Sequence, residues 1–160
     1  MDRRLIGVTA AALMLSSAIY CLVLWQPERQ VRLHQRNFLK AAEKRNWERL
    51  GEFVAADYSD RWGHDKEIVV QQAREALRQF LFLTLAQEER TPHVDGGTGI
   101  SAGRLAVDGS GGPLAELVKQ RVNSLAEPFT FHWQQQSWKP WDWQLIRVEQ
   151  PELEVDGAFR

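Results

Sequence analysis

The strongest constraint on the fold lies near the C-terminus. Phe129, Phe131 and Trp133 alternate with Thr130, His132 and Gln134. After a bend at Trp138-Lys139-Pro140-Trp141, Trp143, Leu145 and Arg147 alternate with Gln144, Ile146 and Val148. A period of two over two adjacent runs predicts a β-hairpin with one buried face. Pro140 has no N–H to give to a ladder, so it belongs in the connection. Such a face has to be covered, and a hairpin alone cannot do it.

The cover is supplied upstream. From Val31 the apolar residues Leu33, Phe38, Leu39, Ala42, Trp47, Leu50, Phe53 and Val54 fall mostly at helical spacings. They predict a helix to about Lys44, a kink, and a second helix capped by Asn46 that runs to about Ala56, with Glu48 near its positive end. Asp57 to Asp65 reads as a break with a turn glycine. Asp65 is positioned to cap a third helix over 66–82, with Ile68, Val69, Gln72, Ala73, Ala76, Leu77, Phe80 and Leu81 along one face. A strand is expected from Phe82 to Glu89, a loop over 91–103, and a strand from Gly103 to Val107 closed by Asp108 to Gly112. Pro113 opens a short helix to Leu125. Helices segregated ahead of antiparallel strands indicate an α+β fold.

The N-terminus carries a different signal. Leu5 to Trp25 is a run of 21 residues without a charge. As a helix it would reach about 30 Å, the thickness of a bilayer core. Tyr20 and Trp25 suit an interfacial aromatic belt. No small-x-small cleavage site follows the run, and Tyr20 spoils a lipoprotein site at Cys21. The expectation is a retained single-pass anchor over 1–27, a folded domain over 28–150 and a flexible acidic tail over 151–160. Arg3 and Arg4 favour an inner N-terminus and place the domain on the outer, periplasmic face of a bacterial membrane, although Arg29, Arg32 and Arg36 follow the span.

Charge excludes one class of partner. The 160 residues carry 20 basic and 21 acidic side chains, net −1, so no basic field calls for nucleic acid. One cysteine cannot form an internal disulfide. His34, His64, His93 and His132 lack zinc spacing, Asp57 to Glu67 fails the calcium-loop pattern, and the glycines at 97, 99 and 103 miss the dinucleotide fingerprint by one position. Neither a metal nor another cofactor is expected.

The element order, with the segment FLKAAEKRNWERLGEFVAADYSDRWGHDK (38–66), resembles the NTF2-like superfamily of nuclear transport factor 2, ketosteroid isomerase and SnoaL relatives. The resemblance rests on an amphipathic first helix, the Asn46-Trp47 step, the apolar pair Leu50 and Phe53, and the Asp57-Tyr58 exit. It implies a cone: N-terminal helices packed against a curved antiparallel sheet, here preceded by one transmembrane helix. It also implies pairing through the sheet as a homodimer. The architecture is similar to secretion-machinery components that carry one span ahead of such a domain.

The family's isomerases and dehydratases set a base in the cone opposite a hydrogen-bond donor, because proton transfer needs both. Tyr58, Asp60, Trp62 and His132 are the candidate pocket residues. Each also has a structural reading: Tyr58 as a packed ring with a tied hydroxyl, Asp60 as an acceptor for loop amides, Trp62 as a plug at the cone mouth, and His132 as a strand-surface residue. Tyr58 and Asp60 cannot both face inward if their segment is extended, and His64 reads as a solvated residue ahead of the third helix. Trp133, Trp138, Trp141 and Trp143 either pair across the hairpin or form an exposed stripe for a partner, a membrane surface or carbohydrate. The leading expectation is a membrane-anchored, non-enzymatic domain for binding or assembly with another membrane-complex protein. The alternative is a binder or enzyme of SnoaL or isomerase type that takes a small apolar ligand. Ionisable groups converging inside the cone would favour the second, and an aromatic filling the first.

Overall fold

The computed structural model describes residues 13–17, 20, 25–88 and 90–153. Most of the apolar segment 5–25 and the tail 154–160 lie outside the described residues. No helix among the described residues is long and apolar enough to cross a membrane.

Three helices come first: α1 (Pro27–Glu43), α2 (Trp47–Phe53) and α3 (Lys66–Leu77). Pro27 occupies the first turn of α1, where its missing N–H costs nothing. Arg45 takes a positive φ of 55° between α1 and α2, which makes the kink. The caps are those expected: the Asn46 side chain accepts from the Arg49 N–H at 3.0 Å, and Asp65 from the Ile68 N–H at 2.9 Å.

The third helix is shorter than its apolar period suggests. It ends at Leu77, and Phe80 already opens strand β1 (Phe80–Gln87). Phe80 pairs with Gly111, and Leu81 and Phe82 project into solvent. Aromatic and apolar residues at 80–83 serve a strand as readily as a helix, and pairing with β4 (Leu105–Gly111) decides between them.

The expected loop at 91–103 is largely sheet. β2 (His93–Asp95) and β3 (Thr98–Gly103) form a hairpin around Gly96-Gly97, both with positive φ. A two-residue turn of that kind matches the twist of the flanking strands. Gly99 is needed for a second reason. A Cβ there would lie 2.6 Å from a methyl carbon of Val31, so the missing side chain lets α1 rest directly on β3.

Helix α4 (Pro113–Asn123) packs beside β4, and the predicted hairpin forms as β5 (Phe129–Gln135) and β6 (Trp143–Glu149). The four-stranded sheet runs β2-β3-β5-β6, all antiparallel, and β1-β4 makes a separate two-stranded sheet continued through Arg104. Val31, Val54, Tyr58, Phe131, Trp133, Trp143 and Leu145 form the central core. Helices covering one face of an antiparallel sheet make an α+β fold, as the element order predicts.

Candidate functional site

The core does not fill the space between helices and sheet. A cavity of about 600 Å³ remains, walled by α1, α3, α4 and both sheets. Its lining is mostly apolar, including Phe38, Leu77, Leu105, Val118, Phe129 and Phe131. The apolar face of α3 looks into this space, which is why no residue of α3 is fully buried although Val69, Ala73 and Ala76 point inward.

The polar exception in the wall is one connected group. After α2 the chain runs along the free edge of β6: the Ala55 N–H donates to the Leu145 carbonyl at 2.9 Å and the Ser59 N–H to the Ile146 carbonyl at 3.1 Å. The segment then turns sharply. The Asp60 carboxylate is almost wholly buried and accepts from the backbone N–H groups of Trp62 (3.0 Å) and His64 (2.9 Å). It also accepts from the Tyr58 hydroxyl at 3.3 Å and faces His64 Nδ1 at 3.0 Å. Gln72 Nε2, nearly two turns into α3, lies 3.0 Å from His64 Nε2.

This network suits one histidine tautomer. An ionised carboxylate only accepts, so Nδ1 carries the proton toward Asp60, and Nε2 presents its lone pair to the Gln72 amide. Burial, and then the Asp60 charge beside it, push the Tyr58 hydroxyl well above its ordinary range, so it stays protonated as a donor. The arrangement is an oriented acid–base pair in an apolar wall, with the basic nitrogen held by a neutral, displaceable amide.

The cone mouth is tied to the chain end. Trp62 Nε1 donates to the Leu153 carbonyl at 3.1 Å, and Arg121 to the Glu152 carbonyl at 2.7 Å. The first residues of the expected flexible tail are thus held against the cavity, and Leu153 lines it.

Three of the four sequence candidates, Tyr58, Asp60 and Trp62, meet at this wall. Tyr58 and Asp60 both face the cavity, against expectation: their segment runs alongside β6, residues two apart in an extended segment share a face, and the exposed Ser59 between them points the other way. His132 does not join them. It alternates with the buried Phe131 and Trp133, so it lies on the other face of the sheet, 3.4 Å from Glu149 in a shallow depression with Asp57, Ser59 and Arg147. His64, read as solvated, is instead the group that Asp60 orients. The signal was its spacing: Asp60 and His64 bracket a turn at Gly63, and Gln72 sits on the inward face of the next helix. Among the described residues no cluster of three or more His, Cys, Asp or Glu is placed to hold a metal ion.

The four tryptophans divide. Trp133 and Trp143 are core residues at 0 % and 3 % exposure, whereas Trp138 and Trp141 stand out at 86 % and 52 %. The stripe is therefore two residues wide and confined to the hairpin tip.

No family model matches the sequence, and no curated protein matches it. Solved structures do. A conserved protein from Planctomyces limnophilus superposes with a TM-score of 0.59 at 15% identity, over 76% of this chain and 91% of that one. A candidate dehydratase of the NTF2-like family from Streptomyces avermitilis gives 0.56 at 17%, over 75% and 91%. A candidate ketosteroid isomerase from Shewanella frigidimarina gives 0.51 at 13%, over 77% and 93%. The fold is NTF2-like. At these identities the likeness establishes the architecture, and the chemistry has to come from the side chains of this chain.

Proposed function

We propose that the NTF2-like cone binds a small, largely apolar molecule bearing one hydroxyl or carbonyl group, and that His64, oriented by Asp60, moves a proton on it. The observation that carries this reading is the convergence of Tyr58, Asp60 and His64 on the wall of an open apolar cavity. A cavity of this size suits a small organic ligand, and the few polar groups in an apolar lining fix its orientation. The ligand's polar group takes the place of the Gln72 amide at His64 Nε2. Asp60 stabilises the imidazolium that forms when Nε2 takes a proton, and the apolar walls exclude water from the step. Isomerisation and dehydration, the reactions named for the Shewanella and Streptomyces neighbours, both need such a base. Binding or assembly without chemistry was the leading expectation, and the converging ionisable groups favour the alternative.

The domain is further proposed to sit at a membrane, held by residues 5–25, on the outer face. The support is the uncharged run in the sequence and the exposure of Leu13, Met14, Leu15 and Tyr20, which the described part of the domain leaves uncovered.

The test is extraction and mass spectrometry of small molecules retained by the chain purified from its membrane. Wild type should retain a molecule that Ala76→Phe, which blocks the cavity, loses. Identical extracts from the two would overturn the pocket. His64→Gln and Asp60→Asn should keep the molecule and lose its conversion. Wild-type conversion by both would remove the proton-transfer step.

A further inference from the structure

The hairpin that closes the sheet carries two large apolar side chains outside the hydrophobic core. Trp138 is the most exposed of the large apolar residues among those described, and Trp141 is half exposed. Their exposure is built in by a bonded tip. The Gln136 N–H donates to the Asp142 carbonyl at 2.7 Å, the Asp142 N–H to the Lys139 carbonyl at 3.1 Å, and Gln135 Nε2 to the same carbonyl at 2.8 Å. Trp143 Nε1 donates to the Pro140 carbonyl at 2.9 Å, and Ser137 is hydrogen-bonded to Asp142. A loop so tied holds the two indoles outward, and exposed indoles on a bonded tip offer apolar surface to a partner.

What that partner is follows from the neighbour of Trp141. The Trp25 ring lies 6.4 Å from it, centroid to centroid, and Trp25 is the last residue of the apolar segment that begins at Leu5. Trp25 and Trp141 thus meet where the chain would leave a bilayer, and Trp138 stands exposed on the same hairpin tip. Lys139 stands between the two tip indoles in sequence. Indoles favour the headgroup level, and a lysine stem reaches from apolar surface to the phosphates.

We infer that the Ser137–Trp141 tip inserts into the headgroup region of the lipid bilayer beside Trp25, as a second membrane contact. This rests on the proposed anchoring through residues 5–25. Two contacts, one covalent and one by insertion, fix the domain's tilt where a single span leaves it free. They also place the cavity. Phe38, the first cavity residue on α1, lies about 16 Å along the helix from Pro27 at the usual rise per residue, within reach of an apolar ligand drawn from the membrane.

The test uses the full chain reconstituted in phosphatidylcholine vesicles, with and without lipids brominated near the headgroup, and reads tryptophan quenching. Trp138→Phe/Trp141→Phe should lose most of the bromine-quenched emission and keep the remainder, from Trp25. Quenching unchanged in the double variant would overturn tip insertion while leaving the anchor intact. A chain that fails to float with the vesicles would overturn the anchor and the insertion with it. A blue-shifted tip that bromine does not quench would mean that protein covers it, and would also overturn the inference. Both positions are exposed, so the phenylalanine variants keep the fold, which circular dichroism checks.

Discussion

Asp60 is the residue on which the site depends most. One carboxylate serves two backbone amides, a phenol and an imidazole, with its side chain out of water. Deleting it strands four donors, and each buried group left without a partner costs about 1–3 kcal/mol. Asp60→Ala should therefore lose about 3 kcal/mol or more in urea unfolding. Asp60→Asn, which keeps an oxygen for the two amides, should lose distinctly less. Equal losses would mean that the amides contribute little. Tyr58 gives a prediction in pH. Its hydroxyl is held above the ordinary 10.0 in the folded state, first by burial and then by Asp60. The folded protein thus binds this proton more tightly than the unfolded chain, and stability falls as pH rises past about 10. Tyr58→Phe should flatten that alkaline decline in melting temperature. An unchanged slope would assign the decline to other groups.

At the scale of elements, sequence legibility followed the physics of each signal. The β5–β6 hairpin was readable because strict alternation admits one interpretation. The caps at Asn46 and Asp65 were readable because a side-chain oxygen at a helix start acts locally. The boundary at Phe80 was not, since the pairing partner that makes 80–87 a strand lies at 105–111. The hairpin over 93–103 was hidden by its glycines, which look like loop and here provide a turn and a close approach. The site was legible in part. Tyr58, Asp60 and Trp62 are within reach; the spacing of Asp60 and His64 around Gly63 is also visible, but that spacing is equally compatible with a solvated ring. Gly99 turns this point into a measurement. Gly99→Ala should destabilise by about 1–3 kcal/mol, as overpacking does, because Val31 is β-branched and cannot swing aside. Val31→Ala in that background should recover part of the loss relative to Val31→Ala alone. A strictly additive pair would show that the contact between α1 and β3 is not the cause.

For the whole molecule, the unfilled cone sets stability against function. Its apolar walls, α3 among them, touch the core along one side and the cavity along the other, so they make fewer contacts than a solid core would give. A chain selected only for stability would fill the space. Keeping it open fits a site that exchanges apolar molecules, with the C-terminal Pro151–Leu153 segment tied across the mouth by Trp62 and Arg121. Ala76→Phe tests both sides of this trade. Placed on the inward face of α3, the ring would bury apolar surface, which stabilises by about 2 kcal/mol. About 0.5 kcal/mol is lost in helix propensity. The variant should melt higher than wild type when both are stripped of ligand, and an apolar ligand should raise its melting temperature far less than it raises that of wild type. A lower melting temperature in the stripped variant would mean that the cone has already closed on itself in solution. The dyad of Asp60 and His64 would then be a structural cluster in a collapsed wall, with no room for a substrate against it.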